Sequence, residues 1–317
     1  KPKVLNIYSL VRDASTFVVL FFNFKVICSL FSGILCVLCF GADDLSALVN
    51  FGKTFNKYFD KINVQVDRAI VGVAAPVLED EIRFTNIDIE FNQRTLKEGI
   101  FQKQLWVLND LELQAHALEC LDSEEILEIG DIKEEKKGSK ILVSPGTGLG
   151  LAGIVGNQVI FTEAGHLNLP SNLQGFNSII KRFEQKKERM ATFEDFLSGK
   201  GINYIYCQLS NSNINPYSNE EILINSEDPN CLKTRDLMLY LLAIFLRYVA
   251  LIWGSTSGVY LSGSIANSLI RTSMHKSFRK DFENSSTMRE LLLKIPTYLI
   301  KDLNLGLKGG LKLASKG

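Results

Sequence analysis

The chain has 317 residues, of which 46% are hydrophobic and 22% are charged, and it contains 23 Gly but only 7 Pro. This composition excludes a disordered chain, a collagen and a low-complexity filament, because enough apolar side chain is present to bury one large core or two smaller ones. Thirty-five basic side chains balance thirty-five acidic ones, so no net field attracts polyanions and a nucleic-acid partner is not expected.

Six cysteines are spread thinly along the chain. This is typical of a reducing, cytoplasmic compartment and not of a disulfide framework. Only Cys36 and Cys39 have CxxC spacing, and neither a second such pair nor a nearby histidine accompanies them. Because a structural zinc site needs four ligands, we predict no metal site there.

Residues 17–40 form the most hydrophobic stretch of the chain. The stretch is long enough to cross a bilayer as a helix. However, Asn23 and Lys25 interrupt it, and its many Phe, Val and Ile residues favour strands. We therefore predict two buried strands and no membrane association, with a membrane helix as the alternative.

Strands and a helix alternate in the next part of the chain, which is typical of an α/β fold. Residues 66–74 and 104–109 predict strands, and residues 111–121 predict a helix. In open α/β sheets, ligands bind beyond the carboxyl ends of the strands. Asn109 and Asp110, which follow the second strand, are therefore candidate site residues.

The second half of the chain is predicted to be mainly helical. The charge-dense residues 122–139, which precede it, predict a solvated loop. Residues 232–253 are apolar on nearly every face, but Arg235, Asp236 and Arg247 favour a buried central helix over a membrane span. The other predicted elements are strands at 140–144, 158–162, 259–261 and 298–301 and helices at 172–189 and 198–209.

A glycine-rich segment with GxGxxG spacing contains Gly148, Gly150 and Gly153. A dinucleotide-binding turn must open a helix, whereas β-branched, strand-like residues follow these glycines. We therefore predict a β-hairpin at this position. Such a hairpin is either a plain turn or a phosphate-binding loop, because successive backbone N–H groups without side chains can receive an anion.

A series of short motifs extends along the rest of the chain. They are Arg83-Phe84-Thr85-Asn86, Leu108-Asn109-Asp110, the segment from Pro145 to Gly150, Glu163-Ala164-Gly165-His166, Glu194 with Leu197-Ser198-Gly199, Ser262-Gly263-Ser264-Ile265 and Asn304-Leu305-Gly306. In these motifs and their order the sequence resembles the bacterial-type glucokinase family, over about residues 69–314. The family's Glu-Gly-Gly-His motif has Ala164 at its second position here.

The resemblance implies an α/β fold of the two-lobed, actin-like ATPase (ribonuclease H-like) type, with a cleft between the lobes. It also implies the conversion of glucose and ATP, with Mg²⁺, to glucose 6-phosphate and ADP. Asp110 matches the catalytic base of the family. Asn109, Glu163, His166, Glu194 and Asn86 match the sugar-binding groups, and Gly146, Thr147, Gly148 and Gly263 match the nucleotide-binding groups.

The sequence departs from the family pattern near its start. The family has an Asp-x-Gly-Gly-Thr loop there, and the nearest stretch in this chain is Asp13-Ala14-Ser15-Thr16, which lacks both glycines. Either the N-terminal sequence is altered or truncated, or the protein is a non-catalytic sugar-binding or regulatory homologue. Because Asp110 accompanies the sugar-binding residues, we expect an enzyme.

For the domain organisation we expect a small α/β lobe formed by residues 1–110 and 301–317 and a large α/β lobe formed by residues 111–300. The expected partners are glucose and ATP, and the sequence is compatible with a homodimer. A cytoplasmic location agrees with the sparse cysteines.

Overall fold

A computed structural model of the chain describes residues 16–21, 26–31, 34–39, 68–73, 77, 80–83, 90–94, 104–131, 137–225, 227–302 and 304–315. The chain divides into two compact units, the first formed by Lys1–Cys120 with Asn304–Gly317 and the second by Leu121–Leu303. The first boundary lies after Cys120, whereas the sequence predicted it after Asp110.

The first unit contains a five-stranded sheet with the strand order β1-β2-β3-β4-β7. Strands β1, β2 and β3 pair antiparallel, whereas β3, β4 and β7 run parallel to one another. A separate two-stranded sheet is formed by β5 and β6. The strands are β1 (Thr16–Phe21), β2 (Val26–Phe31), β3 (Ile34–Cys39), β4 (Arg68–Val73), β5 (Glu81–Arg83), β6 (Glu90–Asn92) and β7 (Gln104–Asn109).

The apolar stretch 17–40 forms three strands, not the two that the sequence predicted. Each has six residues, the usual length of a strand in a globular protein. Asn23 and Lys25 mark the first interruption of the apolar sequence, and the prediction of two strands did not use a second one, the polar and glycine residues Ser32-Gly33. The membrane-helix alternative is wrong for these strands.

Two helices of the first unit pack closely together. Helix α1 (Asp110–His116), which a short 3₁₀ turn extends (Ala117–Cys120), contacts the C-terminal helix, named α10 below (Leu305–Ser315). A Cβ atom on Gly309 would collide with the carbonyl oxygen of Leu113. This close approach keeps α1 in the first unit, and it explains why the boundary lies beyond Asp110.

The second unit contains a six-stranded sheet with the order β11-β10-β9-β12-β13-β8. Strands β9, β12 and β13 are parallel, and β8, β10 and β11 are antiparallel to their neighbours. The strands are β8 (Ile126–Glu128), β9 (Lys140–Pro145), β10 (Leu149–Val155), β11 (Gln158–Thr162), β12 (Val259–Leu261) and β13 (Thr297–Ile300).

Strand β8 lies within residues 122–139, where the sequence predicted only a solvated loop. That prediction was wrong for the apolar residues of this segment, because Leu127 pairs with Leu299 at the edge of the sheet and Ile129 is completely buried. The high charge of the flanking residues concealed a short edge strand, which needs few apolar side chains.

The helices of the second unit surround a long central one and pack into one large apolar core. They are α2 (Asn177–Lys187), α3 (Phe193–Phe196), α4 (Gly199–Ser210), α5 (Asn219–Ile224), α6 (Pro229–Trp253), α7 (Ser264–Leu269), α8 (His275–Phe282) and α9 (Arg289–Leu292). The predicted strands and long helices of this half are confirmed, with shifts of a few residues at their ends.

Helix α6 is the one helix in the described part of the chain that is long and apolar enough to cross a membrane. Its middle lies in the core, where Leu241, Leu242 and Phe245 are completely buried. Near its C-terminal end, Arg247 donates hydrogen bonds to the backbone carbonyls of Asp281 and Asn284. The predicted buried central helix is confirmed.

Candidate functional site

The junction between β7 and α1 holds Asn109 and Asp110 in a fixed orientation. Asn109 is the N-cap of α1, and its Oδ1 accepts hydrogen bonds from the backbone N–H groups of Leu111 (2.9 Å) and Glu112 (3.3 Å). The Glu112 carboxylate in turn accepts a hydrogen bond from the Asn109 N–H. This reciprocal capping satisfies backbone donors that a helix start otherwise leaves unpaired, and it places Asp110 at the first helical position.

Asp110 is an unusually basic carboxylate. Burial raises its pKa from 3.8 to about 6, although the Leu111 N–H, which donates to Oδ1 at 2.9 Å, acts in the opposite direction. Loss of hydration disfavours the charged form of a carboxyl group. A carboxylate with such a pKa is ionised at neutral pH and accepts a proton more readily than an ordinary aspartate.

The glycine-rich segment forms a hairpin between β9 and β10, as the sequence predicted. Pro145 pairs with Leu149 across the turn, and the Gly146 N–H donates to the Gly148 carbonyl at 2.8 Å. Within the described residues, the N–H groups of Thr147 and Gly148 have no hydrogen-bond partner. Two such donors in succession can receive an anion.

Glu163 and His166 lie at either end of a single 3₁₀ turn that packs against this hairpin. The turn spans Ala164–His166, and a Cβ atom on Gly165 would collide with the Leu149 carbonyl oxygen. The Glu163 Oε2 lies 3.6 Å from the His166 Nε2, and both side chains are about half exposed. The turn therefore presents a carboxylate and an imidazole side by side beside the hairpin.

Burial raises the pKa of Glu163, the neighbouring His166 opposes this increase, and the negative charge of Glu194 makes a smaller contribution in the same direction as burial. Glu194 itself accepts a hydrogen bond from the Leu149 N–H at 2.9 Å through its Oε2. The carboxylates of Glu163 and Glu194 thus belong to one cluster, although the two residues are about thirty positions apart in the sequence.

Helix α3, which carries Glu194, has only four residues and is held by a capping box. The Asp195 carboxylate accepts hydrogen bonds from the N–H and the hydroxyl of Thr192, each at 2.9 Å. Arg189 donates two hydrogen bonds to the same carboxylate, at 2.6 and 2.7 Å. Burial raises the pKa of Asp195, but these hydrogen bonds outweigh it and the pKa is lowered.

An open concavity of about 470 Å³ adjoins this cluster in the second unit. Its lining consists mainly of polar and charged side chains, which can donate hydrogen bonds to hydroxyl groups and accept them. The lining residues are His166, Asn168, Arg189, Met190, Thr192, Glu194 and Asp195.

Gly263 lies next to the same hairpin. Strand β12 runs parallel to β9, so their carboxyl ends meet at one edge of the sheet. Gly263 follows β12 with a φ of +94°, and a Cβ atom there would be 3.0 Å from the Ser144 Oγ and 3.3 Å from the Pro145 carbonyl oxygen. Both the backbone conformation and the lack of space therefore favour glycine at this position.

The predicted site residues fall into two groups. Asn109 and Asp110 belong to the first unit, and the glycines, Glu163, His166 and Glu194 belong to the second. Asn86, Asp13, Ala14 and Ser15 lie outside the described residues, and Thr16 begins β1. No cluster of three or more His, Cys, Asp and Glu side chains that could hold a metal ion occurs in the described part of the chain.

The sequence analysis missed the residues that support the site. The pattern Thr192-x-x-Asp195 is a recognisable helix-start signature that could have been read before the structure. The contribution of Leu149 could not have been found in this way, because it acts through its backbone N–H and its side-chain type carries no signal. The pairing of Arg189 with Asp195 gave no signal either, because six residues separate them and only the fold of this turn brings the two side chains together.

Comparison of the sequence with known proteins gives glucokinases both as the matching family model and as the similar curated relatives. A family model described as glucokinase matches residues 44–316. The glucokinase of Helicobacter pylori (strain ATCC 700392 / 26695) is 29% identical over 254 residues, which are 75% of each chain. The glucokinase of Rhizobium johnstonii is 32% identical over 253 residues, 76% of this chain and 73% of the relative.

Among solved structures, the glucokinase of Balamuthia mandrillaris in complex with glucose superimposes with a TM-score of 0.74 and 20% identity, covering 87% of this chain and 85% of that one. This likeness shows the fold. The predicted α/β fold of the actin-like ATPase type is confirmed.

Proposed function

This chain belongs to the glucokinase family, and from that premise we propose that it transfers the γ-phosphoryl group of ATP to the 6-hydroxyl of glucose. The products are glucose 6-phosphate and ADP. The observation that carries the proposal is Asp110, a carboxylate with a pKa of about 6 held at the carboxyl end of β7. Its position agrees with the place where ligands bind in α/β folds.

Asp110 is the general base in this proposal. A sugar hydroxyl is a weak nucleophile, and a carboxylate at hydrogen-bonding distance can accept its proton as the oxygen attacks the γ-phosphorus. With a pKa of about 6, roughly nine-tenths of this carboxyl is ionised at pH 7. Such a base typically contributes about 10²–10⁴ to the rate.

Glu163, His166 and Glu194 bind the sugar in this proposal, together with Asn109 and Asn86. The carboxylates accept hydrogen bonds from ring hydroxyls, and the imidazole beside Glu163 can donate one or accept one. A site built from such groups rejects sugars that lack one of the hydroxyls, because its own polar groups would then remain unpaired.

The hairpin binds the nucleotide phosphates in this proposal, through Gly146, Thr147 and Gly148, and Gly263 lies beside it. The unpaired N–H groups of Thr147 and Gly148 support this role, since they can donate to phosphate oxygens. Mg²⁺ enters with ATP as part of the substrate, where it offsets the phosphate charge.

The same proposal extends to the organisation and location of the protein. The small lobe is formed by the first unit and the large lobe by the second. We propose a cytoplasmic location, which the free thiols of Cys120, Cys207 and Cys231 support among the described cysteines. Neither a nucleic-acid partner nor a membrane is part of the proposal, and a homodimer is compatible with it.

The test is an assay of purified protein with glucose and MgATP, in which glucose 6-phosphate formation is measured enzymatically. The matched variant is Asp110→Asn, which keeps the shape of the side chain and removes the base. We expect turnover in the wild type and a severe loss in the variant, with glucose affinity by calorimetry little changed. A large loss of affinity at normal turnover would refute the role of Asp110.

A second candidate function is a non-catalytic glucose-binding or regulatory protein. The observation that favours it is the sequence Asp13 to Thr16, which lacks the glycines of the family's phosphate loop. Side chains at those positions would hinder the approach of backbone to phosphate. Glucose binding in calorimetry without product formation above background would establish this second function.

A further inference from the structure

The Glu194 carboxylate lies directly against the glycine hairpin. We propose that the missing side chain of Gly148 and the backbone N–H of Leu149 position this carboxylate for the sugar, so that the hairpin assigned to the phosphates also supports sugar binding. The inference rests on the proposed function, since it assumes that Glu194 is a sugar ligand. Gly148 and Leu149 are positioning residues that act through Glu194.

The first observation concerns space. A Cβ atom on Gly148 would lie 2.6 Å from the Glu194 Oε2 and 3.2 Å from its Cδ, and the first distance is shorter than any normal contact. The backbone itself does not require glycine here, because Gly148 is not one of the glycines with positive φ. Glycine at this position therefore serves the neighbouring carboxylate rather than the turn.

The second observation concerns hydrogen bonding. The Leu149 N–H donates to the same oxygen, Oε2, at 2.9 Å. A hydrogen bond to an ionised carboxylate is stronger than one between neutral groups. A side chain at position 148 would push Oε2 away from this donor, and the carboxylate would lose its orientation together with the bond.

The third observation concerns rigidity. Helix α3 cannot easily move to make room, because Phe193 and Phe196 on either side of Glu194 are 1% and 0% exposed. The capping box of Thr192 and Asp195, held by Arg189, fixes the start of the helix. A clash at Gly148 must therefore be relieved by the Glu194 side chain.

The fourth observation connects this contact to the sugar. His166, whose Nε2 lies 3.6 Å from the Glu163 Oε2, lines the same concavity as Glu194. Displacement of the Glu194 carboxylate changes the spacing of the groups that accept hydrogen bonds from the sugar hydroxyls. Glucose affinity should then fall, because a misplaced acceptor leaves hydroxyls unpaired.

The deciding measurement is the Kd for glucose alone, by calorimetry without nucleotide, for the wild type and for Gly148→Ala. We expect the variant to bind glucose at least about tenfold more weakly, the usual effect of losing a charge-assisted hydrogen bond. A Kd within about twofold of the wild type would overturn the inference.

The control is Val155→Ala, in strand β10 of the same hairpin. Val155 is half exposed and has no role in the proposed site, so glucose affinity should stay within about twofold of the wild type. An equal loss of glucose affinity in both variants would show a general disturbance of the hairpin and would overturn the inference.

Rescue provides a further test. In Glu194→Asp the shorter side chain leaves room for a Cβ atom at position 148, so Gly148→Ala should weaken glucose binding less in that background than in the wild type. Strictly additive losses in the double variant would contradict contact between the two residues.

Should Gly148→Ala fail to fold, Glu194→Gln tests the contact without altering the hairpin. Replacing the charged acceptor by a neutral amide should accelerate hydrogen exchange at the Leu149 amide, and an unchanged rate would overturn the inference.

The proposed function and the positioning role of Gly148 fail in different ways. A wild type that binds no glucose refutes the proposed function, whereas glucose binding that Gly148→Ala leaves intact refutes only the positioning role.

Discussion

Asp110 in the first unit and Glu163 in the second are both carboxylates whose pKa is raised by burial, but different parts of the chain hold them. Asp110 depends on one junction between a strand and a helix, and its capping partners are its immediate neighbours. Glu163 depends on a 3₁₀ turn, a hairpin and a short helix that are far apart in the sequence.

The comparison shows two ways of placing a carboxylate. A local junction gives a single carboxyl group, held by its immediate neighbours, whose pKa is raised to about 6, which suits proton transfer. A cluster assembled from three segments gives several partly exposed acceptors, which suits a ligand with many hydroxyls. We therefore expect changes at Asp110 to affect turnover and changes in the Glu163 cluster to affect affinity.

The largest expected effect is the difference in kcat between the variants Asp110→Asn and Glu163→Gln. Removing the base should lower kcat by about 10²–10⁴ while glucose affinity stays close to that of the wild type. Removing the charge of Glu163 should mainly raise KM for glucose, because it weakens a contact made before and during the reaction. Steady-state kinetics with varied glucose separates the two, and equal losses of kcat in both variants would remove the distinction.

The pH dependence of turnover should follow Asp110. Because the base works only when ionised and its pKa is about 6, activity should fall about tenfold per pH unit below that value and level off above it. The measurement is kcat/KM for glucose between pH 5 and 8, with coupling enzymes in excess. A profile that stays flat down to pH 5 would rule out a base with this pKa.

The variant Asp110→Asn should lose turnover but gain stability. Burial of the charged Asp110 costs free energy, so Asp110→Asn should raise the free energy of unfolding at pH 7 by up to about 3 kcal/mol, which is the pKa increase from 3.8 to about 6 expressed as energy. The folded-state pKa is raised, so this gain is present above pH 6 and disappears as the pH falls toward 3.8.

Denaturant unfolding of the wild type and the variant at several pH values checks this difference. The matched control is Asp131→Asn, since Asp131 is exposed in the second unit. It should change stability by no more than about 0.5 kcal/mol. A variant at Asp110 that is less stable than the wild type at pH 7 would contradict the assigned burial cost.

The smallest expected effect is at Asn109. Asn109→Ala removes the cap of α1 and should lower stability by about 1 kcal/mol. Asn109→Ser keeps an oxygen that can cap the helix and should restore most of that loss, but it should not restore glucose affinity if the amide contacts the sugar. Thermal unfolding and calorimetry on both variants distinguish the cap from the sugar contact, and full recovery of both properties would leave Asn109 with a capping role alone.

The sequence alone determined most of the elements that carry the site. The alternation of strand, polar pair and helix at residues 104–121 located Asn109 and Asp110 correctly at the junction of β7 and α1. The β-branched residues after Gly150 predicted a hairpin in place of a helix start. The antiparallel pairing of Pro145 with Leu149 confirms this hairpin. These features were readable because they depend on neighbours along the chain.

Only the tertiary structure decided what surrounds those elements. The pairing of Ile126–Glu128 with β13, the packing of Gly309 on Leu113 and the hydrogen bond from the Leu149 N–H to Glu194 join residues tens to hundreds of positions apart. Such contacts leave no local pattern, because a backbone N–H or a missing Cβ atom is the same in any sequence context. The chain itself therefore fixed which groups are available, and folding fixed which of them meet.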